Sequence, residues 1–113
     1  MPSLLDVYLA DVEWRNSKDR RPCLIVRVTP DGRFGCAHIS SAMDLFIPER
    51  DFLIDAKTPG FAETGLKRTS FVTSRALSVL EERDLIRRLG RLQNPLREQF
   101  RYWWWARGGD LIE

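Results

Sequence analysis

Apolar and polar positions along the chain fall into short β-type runs, then shift to a longer period near the C-terminus. Leu5–Val12 (LDVYLADV) mixes apolar and polar residues with Val and Tyr, and predicts a strand. Pro22–Val28 (PCLIVRV) is near-continuously apolar and β-branched, the pattern of a central buried strand. The polar, basic segment Trp14–Arg20 between them predicts a loop. Pro30-Asp31-Gly32 is a turn signal, with proline presetting one φ and glycine permitting another. Arg33–Ser41 (RFGCAHISS) then reads as the return strand. Phe46–Pro48, Phe52–Ile54 and Thr69–Val72 predict further short strands, separated by Thr58-Pro59-Gly60 and Thr64-Gly65.

Past residue 78 the pattern reads as helical. Ser78–Glu81 fits a capping box, and Leu85, Ile86, Leu89 and Leu92 place one apolar face on Glu82–Leu92, with arginines opposite. Asn94-Pro95 predicts the start of a second helix through Leu96, Phe100, Trp103 and Trp104, ended by Gly108-Gly109. Trp103-Trp104-Trp105 spans about 200° of a helix, too wide for one core face, so at least one tryptophan is expected at an interface. The expected architecture is a mainly β domain of five to seven short strands with C-terminal helices as cover.

Composition narrows this little. The chain has 113 residues, 43% apolar and 30% charged, which suits one domain over 1–113 with its own core. A net charge of +2 does not by itself mark a nucleic-acid binder. The distribution says more, because basic residues gather at 15–21, at 67–68 and along 83–107, and a local positive patch can hold phosphates. Cys23 and Cys36 are too few for a disulfide framework and read as small buried residues. No Cys/His set supports zinc, so no metal or cofactor is expected. The N-terminus lacks a long apolar signal-peptide core, and no run of about 18 apolar residues exists, so a cytoplasmic protein without a membrane span is expected.

The candidate chemistry centres on Arg21. The residue before a proline is pushed to extended geometry, and proline is tolerated at a strand's first position. A strand opening on Arg21-Pro22 would hold a guanidinium at the sheet's rim beside a basic loop, as phosphate binding needs. If Asp31-Gly32 form a two-residue hairpin turn, Ser40 lies opposite Cys23 and His38 opposite Ile25, and Arg21, His38 and Ser40 share one face. A three-residue loop would flip that parity. His38, the single histidine, has an ordinary pKa of ~6.5 that suits a proton shuttle. Arg15, Lys18, Arg20, Lys67, Arg68 and Thr69 are candidate phosphate contacts, and Trp14 a stacking platform for a base. Structural readings stand beside each: Arg21 bridging Asp19 or Asp44, Ser40 ending a strand, His38 in the core, Lys67-Arg68 guarding a sheet edge, and Trp14 capping apolar surface.

In order along the chain, DVYLADV, RRPCLIV, AHISSA, GLKRTSFV and LIRRLGRL resemble the successive signatures of the PemK/MazF/Kid toxins, over roughly residues 5–105. The resemblance implies an SH3-like, bent β-barrel and a homodimer held in check by a cognate antitoxin. It also implies a metal-independent endoribonuclease that cuts single-stranded RNA to a 2′,3′-cyclic phosphate and a 5′-hydroxyl. By resemblance Arg21 takes the place of the catalytic arginine, and Ser40, with Ser41 one residue away as the alternative, that of a catalytic threonine. The chain departs from the pattern in three places. Leu5 stands where the family usually has glycine, the first loop has no histidine, and Thr73 and Arg75 replace an Arg-x-Asp pair. These departures support an alternative: a non-catalytic SH3-like binding module, or a regulator acting only in complex with its antitoxin.

Overall fold

The computed structural model describes residues 1–14 and 17–109, the side chains of Trp14 and Ser17 excepted. Six antiparallel strands form one sheet: β1 (Asp6–Trp14), β2 (Ser17–Val28), β3 (Arg33–Ser40), β4 (Asp51–Ile54), β5 (Ser70–Glu81) and β6 (Leu85–Arg91). Their spatial order is β4-β5-β3-β2-β1-β6. One helix, α1 (Leu96–Ala106), follows. The mainly β class and a strand count within five to seven agree with expectation. The sheet does not close into a barrel, since β4 and β6 are its two ends.

The apolar run of β2 buries both faces because a core lies on each side. Leu24 and Val26 pack with Val7, Ala37, Ile39, Val72 and the helix residues Leu96, Phe100 and Trp104. Cys23 and Ile25 point the other way and pack with Ala10, Val12, Phe34, Cys36 and Leu80. Side chains alternate across a strand, so a central strand covered on both faces must be apolar at every position. In α1, Leu96, Phe100 and Trp104 recur every four residues and are the buried ones. Each such burial stabilises by roughly 1.5–3 kcal/mol. Trp103 packs at 5.7 Å from Phe52, while Trp105 is 68% exposed and stacks loosely on Tyr102.

Four expectations are corrected. Trp14–Arg20 is not a loop: β1 and β2 continue as a two-stranded ribbon, with Asp11 opposite Arg20, Val12 opposite Asp19 and Glu13 opposite Lys18. Opposed charges stabilise such pairs without any apolar signal. Pro22 therefore does not open its strand but lies inside it, opposite Leu9. The ladder from β2 to β3 starts only at Cys23, so the missing N–H falls where β2 loses its second neighbour.

The predicted helix 82–92 is instead a 3-10 turn (Glu82–Asp84) followed by β6. The capping box does form, from Glu81 and Asp84. Propensity then yields to tertiary pairing, because β6 supplies the ladder that the outer edge of β1 needs. Gly90 permits it: a Cβ there would overlap the Glu63 carbonyl oxygen. Residues 46–48 form no strand; Met43–Leu45 is a 3-10 turn, and Phe46 packs on Phe71 at 5.6 Å.

Candidate active site

The β2–β3 turn sets the register of the site. Thr29 N–H donates to the Arg33 carbonyl at 2.9 Å, leaving the three-residue loop Pro30-Asp31-Gly32 with Gly32 at φ +82°. That loop flips the parity of a two-residue turn, and a bulge between Ile25 and Arg27 flips it back. Cys23 consequently faces His38, where the two-residue turn had set Ser40. Arg21 and Ser40 still share the face of Cys23 and His38, because both lie two residues further along their strands.

Beyond Cys23 and His38 the two strands part. Pro22 and Arg21 pair with Leu9 and Ala10 of β1, whereas Ile39 and Ser40 pair with Val72 and Phe71 of β5. A cleft of about 700 Å³ opens at the split, lined by Arg20, Arg21 and Pro22 on one wall and Ile39–Ala42 on the other. Gly65, Leu66, Lys67, Arg68 and Ser70 form its third side, and Leu9, Arg87 and Leu89 its floor. The 62–65 turn reaches this position by close backbone contact with β6. Gly65 has φ +74°, and a Cβ on it would overlap the Leu89 carbonyl.

Arg21 is 35% exposed, and its Nη2 lies 3.3 Å from Asp19 Oδ2. Its Nε–H is buried and has no hydrogen-bond partner among the described residues. Ser40 is half-buried and its Oγ accepts the Ala42 N–H at 3.1 Å, while Ser41 is exposed. His38 is buried behind them, with Nε2 2.8 Å from Ser78 Oγ. Burial, aided by the Arg21 charge, holds the His38 pKa below its ordinary value, so the ring is neutral near pH 7. Burial pushes the Cys23 thiol up to about 12 against the pull of Arg21. Neither cysteine is exposed, and both are free thiols.

The cleft thus collects Arg21, Ser40, Ser41, Arg20, Lys67 and Arg68 from the sequence-based candidates. It does not collect Lys18, which lines a separate cavity of about 350 Å³ with Asp11, Glu13 and Asp84. Thr69 is also outside it, its Oγ1 accepting the Ala56 N–H at 2.9 Å. Arg20 donates to Asp11 at 3.0 Å from an exposed position. Arg15 and the side chain of Trp14 lie outside the described residues. Arg87 was missed, because a helical reading of 82–92 put it on a solvated face. As part of β6, opposite Leu9, it reaches the cleft floor. An alternating reading of LIRRLGR would have found it. Among the described residues no group of three or more His, Cys, Asp or Glu is placed to hold a metal ion, and no helix is long and apolar enough to cross a membrane.

The arrangement sets five cations, Arg20, Arg21, Lys67, Arg68 and Arg87, around one carboxylate, Asp19. Low-dielectric walls strengthen such a field and favour an anionic ligand.

No family model matches the sequence, and no curated protein matches it. Among solved structures the chain is similar to the Mycobacterium tuberculosis toxin MazF-mt6, at a TM-score of 0.60 and 18% identity. The match covers 82% of this chain and 85% of that one. The chain therefore has the MazF/PemK-like toxin fold.

Proposed function

We propose that the chain is the toxin of a toxin–antitoxin pair: a cytoplasmic, metal-independent endoribonuclease acting on single-stranded RNA, working as a homodimer restrained by a cognate antitoxin. One observation carries this reading. Arg21 and Ser40 stand on the two walls of a cationic cleft, and the Arg21 Nε–H there lacks an acceptor. A buried donor left unpaired is costly, and an incoming phosphate oxygen would satisfy it.

In the proposed reaction the ribose 2′-oxygen attacks the adjacent phosphorus. Its proton leaves, the bond from phosphorus to the 5′-oxygen breaks, and that oxygen takes up a proton. A cyclic phosphate and a 5′-hydroxyl result. Charge builds on the non-bridging oxygens of the phosphorane, where the permanent charge and planar fork of Arg21 stabilise it most. The Ser40 hydroxyl donates a hydrogen bond to a phosphate oxygen, with Ser41 as the neighbouring alternative. Arg20, Lys67 and Arg68 hold flanking phosphates. His38 stays a second-rank candidate, since its ring is buried and engaged with Ser78.

Purified protein incubated with RNA in EDTA tests the proposal. Cleavage leaving cyclic phosphate, lost in Arg21→Ala and indifferent to chelation, is the expected result. Intact RNA across varied sequences, with no growth defect on expression, would overturn it. The Arg21–Asp19 ion pair favours one second reading, a binding module that keeps the cleft without the chemistry. That protein would retain RNA in a filter assay without cutting it.

A further inference from the structure

The outer edge of β5 is half uncovered. β4 pairs only with its first part, from Ser70 to Thr73, and among the described residues nothing pairs with residues 74–81 on that side. A strand edge of this length presents a row of unused N–H and C=O groups, which proteins normally blunt with proline, lysine or a bulge. Residues 74–81, SRALSVLE, contain neither proline nor lysine. Two apolar side chains stand out from this stretch, Leu77 at 55% and Val79 at 64% exposure. Their even-numbered neighbours Ala76 and Leu80 are buried, and Ser78 is turned toward His38.

The exposed face therefore reads Arg75, Leu77, Val79, Glu81 along alternate positions. This series is complementary to itself when reversed. Laid antiparallel on a second copy about Ser78, it sets Leu77 against Val79, Val79 against Leu77, and Arg75 against Glu81 at both ends. A slip of two residues in either direction breaks both charge pairs and sets an apolar residue opposite a charged one. Apolar and opposite-charge cross-strand pairs each stabilise, and like charges directly opposite destabilise. A twofold axis requires such self-complementarity, because both copies use the same patch. Glu81 is also engaged by Arg83 at 2.6 Å, but that carboxylate is 53% exposed and keeps room for a second guanidinium.

We propose that residues 74–81 of β5 pair antiparallel with the same segment of a second copy, joining two sheets across a twofold axis at Ser78, with each Arg75 facing the other copy's Glu81. This deepens the homodimer part of the proposed function by naming its surface. It does not depend on the chemistry of the cleft, so an RNA-cleaving monomer would overturn it and leave the nuclease reading intact.

Sedimentation equilibrium over a wide concentration range is the test. The expected mass is twice the 13.2 kDa of one chain. Arg75→Glu and, separately, Leu77→Lys are expected to weaken association at least tenfold while the circular dichroism spectrum stays unchanged, because both side chains are exposed. Combining Arg75→Glu with Glu81→Arg restores opposite charges and is expected to recover association. A monomer at every concentration, a dimer indifferent to both single substitutions, or a folded double variant that stays dissociated would each overturn the proposal.

Discussion

Arg21 and Asp19, two residues apart on β2, meet at 3.3 Å on the wall of the cationic cleft. Their spacing puts both on one face of the strand, and Asp19 is the cleft's one carboxylate. The pair is part-exposed and stabilises the fold by only ~0–1 kcal/mol. Its larger effect is on ligand binding, where Asp19 competes with phosphate for Arg21. Asp19→Asn is expected to tighten RNA binding severalfold with little change in the unfolding midpoint. Fluorescence anisotropy on short labelled RNA and a urea titration check the two halves.

Arg21 itself is expected to act on the rate. Arg21→Lys keeps a positive charge but loses the planar, two-pronged grip. A fall in kcat of ~10²-fold or more, with KM nearly unchanged, matches a group that stabilises the transition state. Single-turnover cleavage of an RNA oligonucleotide gives both parameters.

Arg87 is expected to behave oppositely. It lies at the cleft floor on β6, away from Ser40's wall, and suits a flanking phosphate. Arg87→Ala is expected to raise KM with kcat retained. The salt dependence of binding should flatten by about 0.7 in log–log slope for each lost phosphate contact. Binding isotherms across a salt series measure that slope.

His38 ties stability to pH. Burial and the Arg21 charge depress its folded pKa, so the unfolded chain binds the proton more readily. The stability owed to the neutral ring is complete above the unfolded pKa of ~6.5 and is lost as pH falls from there toward the folded pKa. The urea midpoint is expected to drop between about pH 7.5 and 5.5, and His38→Gln to remove most of that drop.

Leu5 inverts the usual ranking of alanine and glycine. It has φ +66° while its side chain is 2% exposed in the core, and its N–H donates to the Ile25 carbonyl at 2.7 Å. Removing the side chain costs about 2–5 kcal/mol. Alanine keeps the left-handed strain of about 1 kcal/mol or more, and glycine relieves it. Leu5→Gly is therefore expected to be no less stable than Leu5→Ala, although glycine is ordinarily the worse by roughly 0.5–1 kcal/mol in a strand or helix. Equilibrium urea unfolding of the two variants decides this.

Strands whose composition is one-sidedly apolar, or that end at turn residues, were legible: β1, β2, β3 and β4 all appear near their expected positions. So was α1, because Leu96, Phe100 and Trp104 recur at helical spacing on one buried face. The polar continuation of β1 and β2 past Trp14 and Ser17 was not legible, since paired charges carry no periodic apolar signal. Leu85–Arg91 misled for a different reason. Its leucines fit a helical face, and only the unpaired edge of β1 and the close approach at Gly90 make a strand the better solution.

The sequence by itself determined the strand-forming runs, the C-terminal helix, and the residue types Arg21 and Ser40 that a phosphate site requires. The tertiary structure decided which of them meet. The Thr29–Arg33 loop and the bulge after Ile25 each shift register by one, and together they keep Arg21 and Ser40 on one face. The parting of β2 and β3 then opens the cleft between them, and β6 brings Arg87 to its floor. Register, strand divergence and the choice of strand over helix all depend on contacts between segments distant in the chain. Local pattern cannot encode them, because their free energy exists only once those segments are packed together.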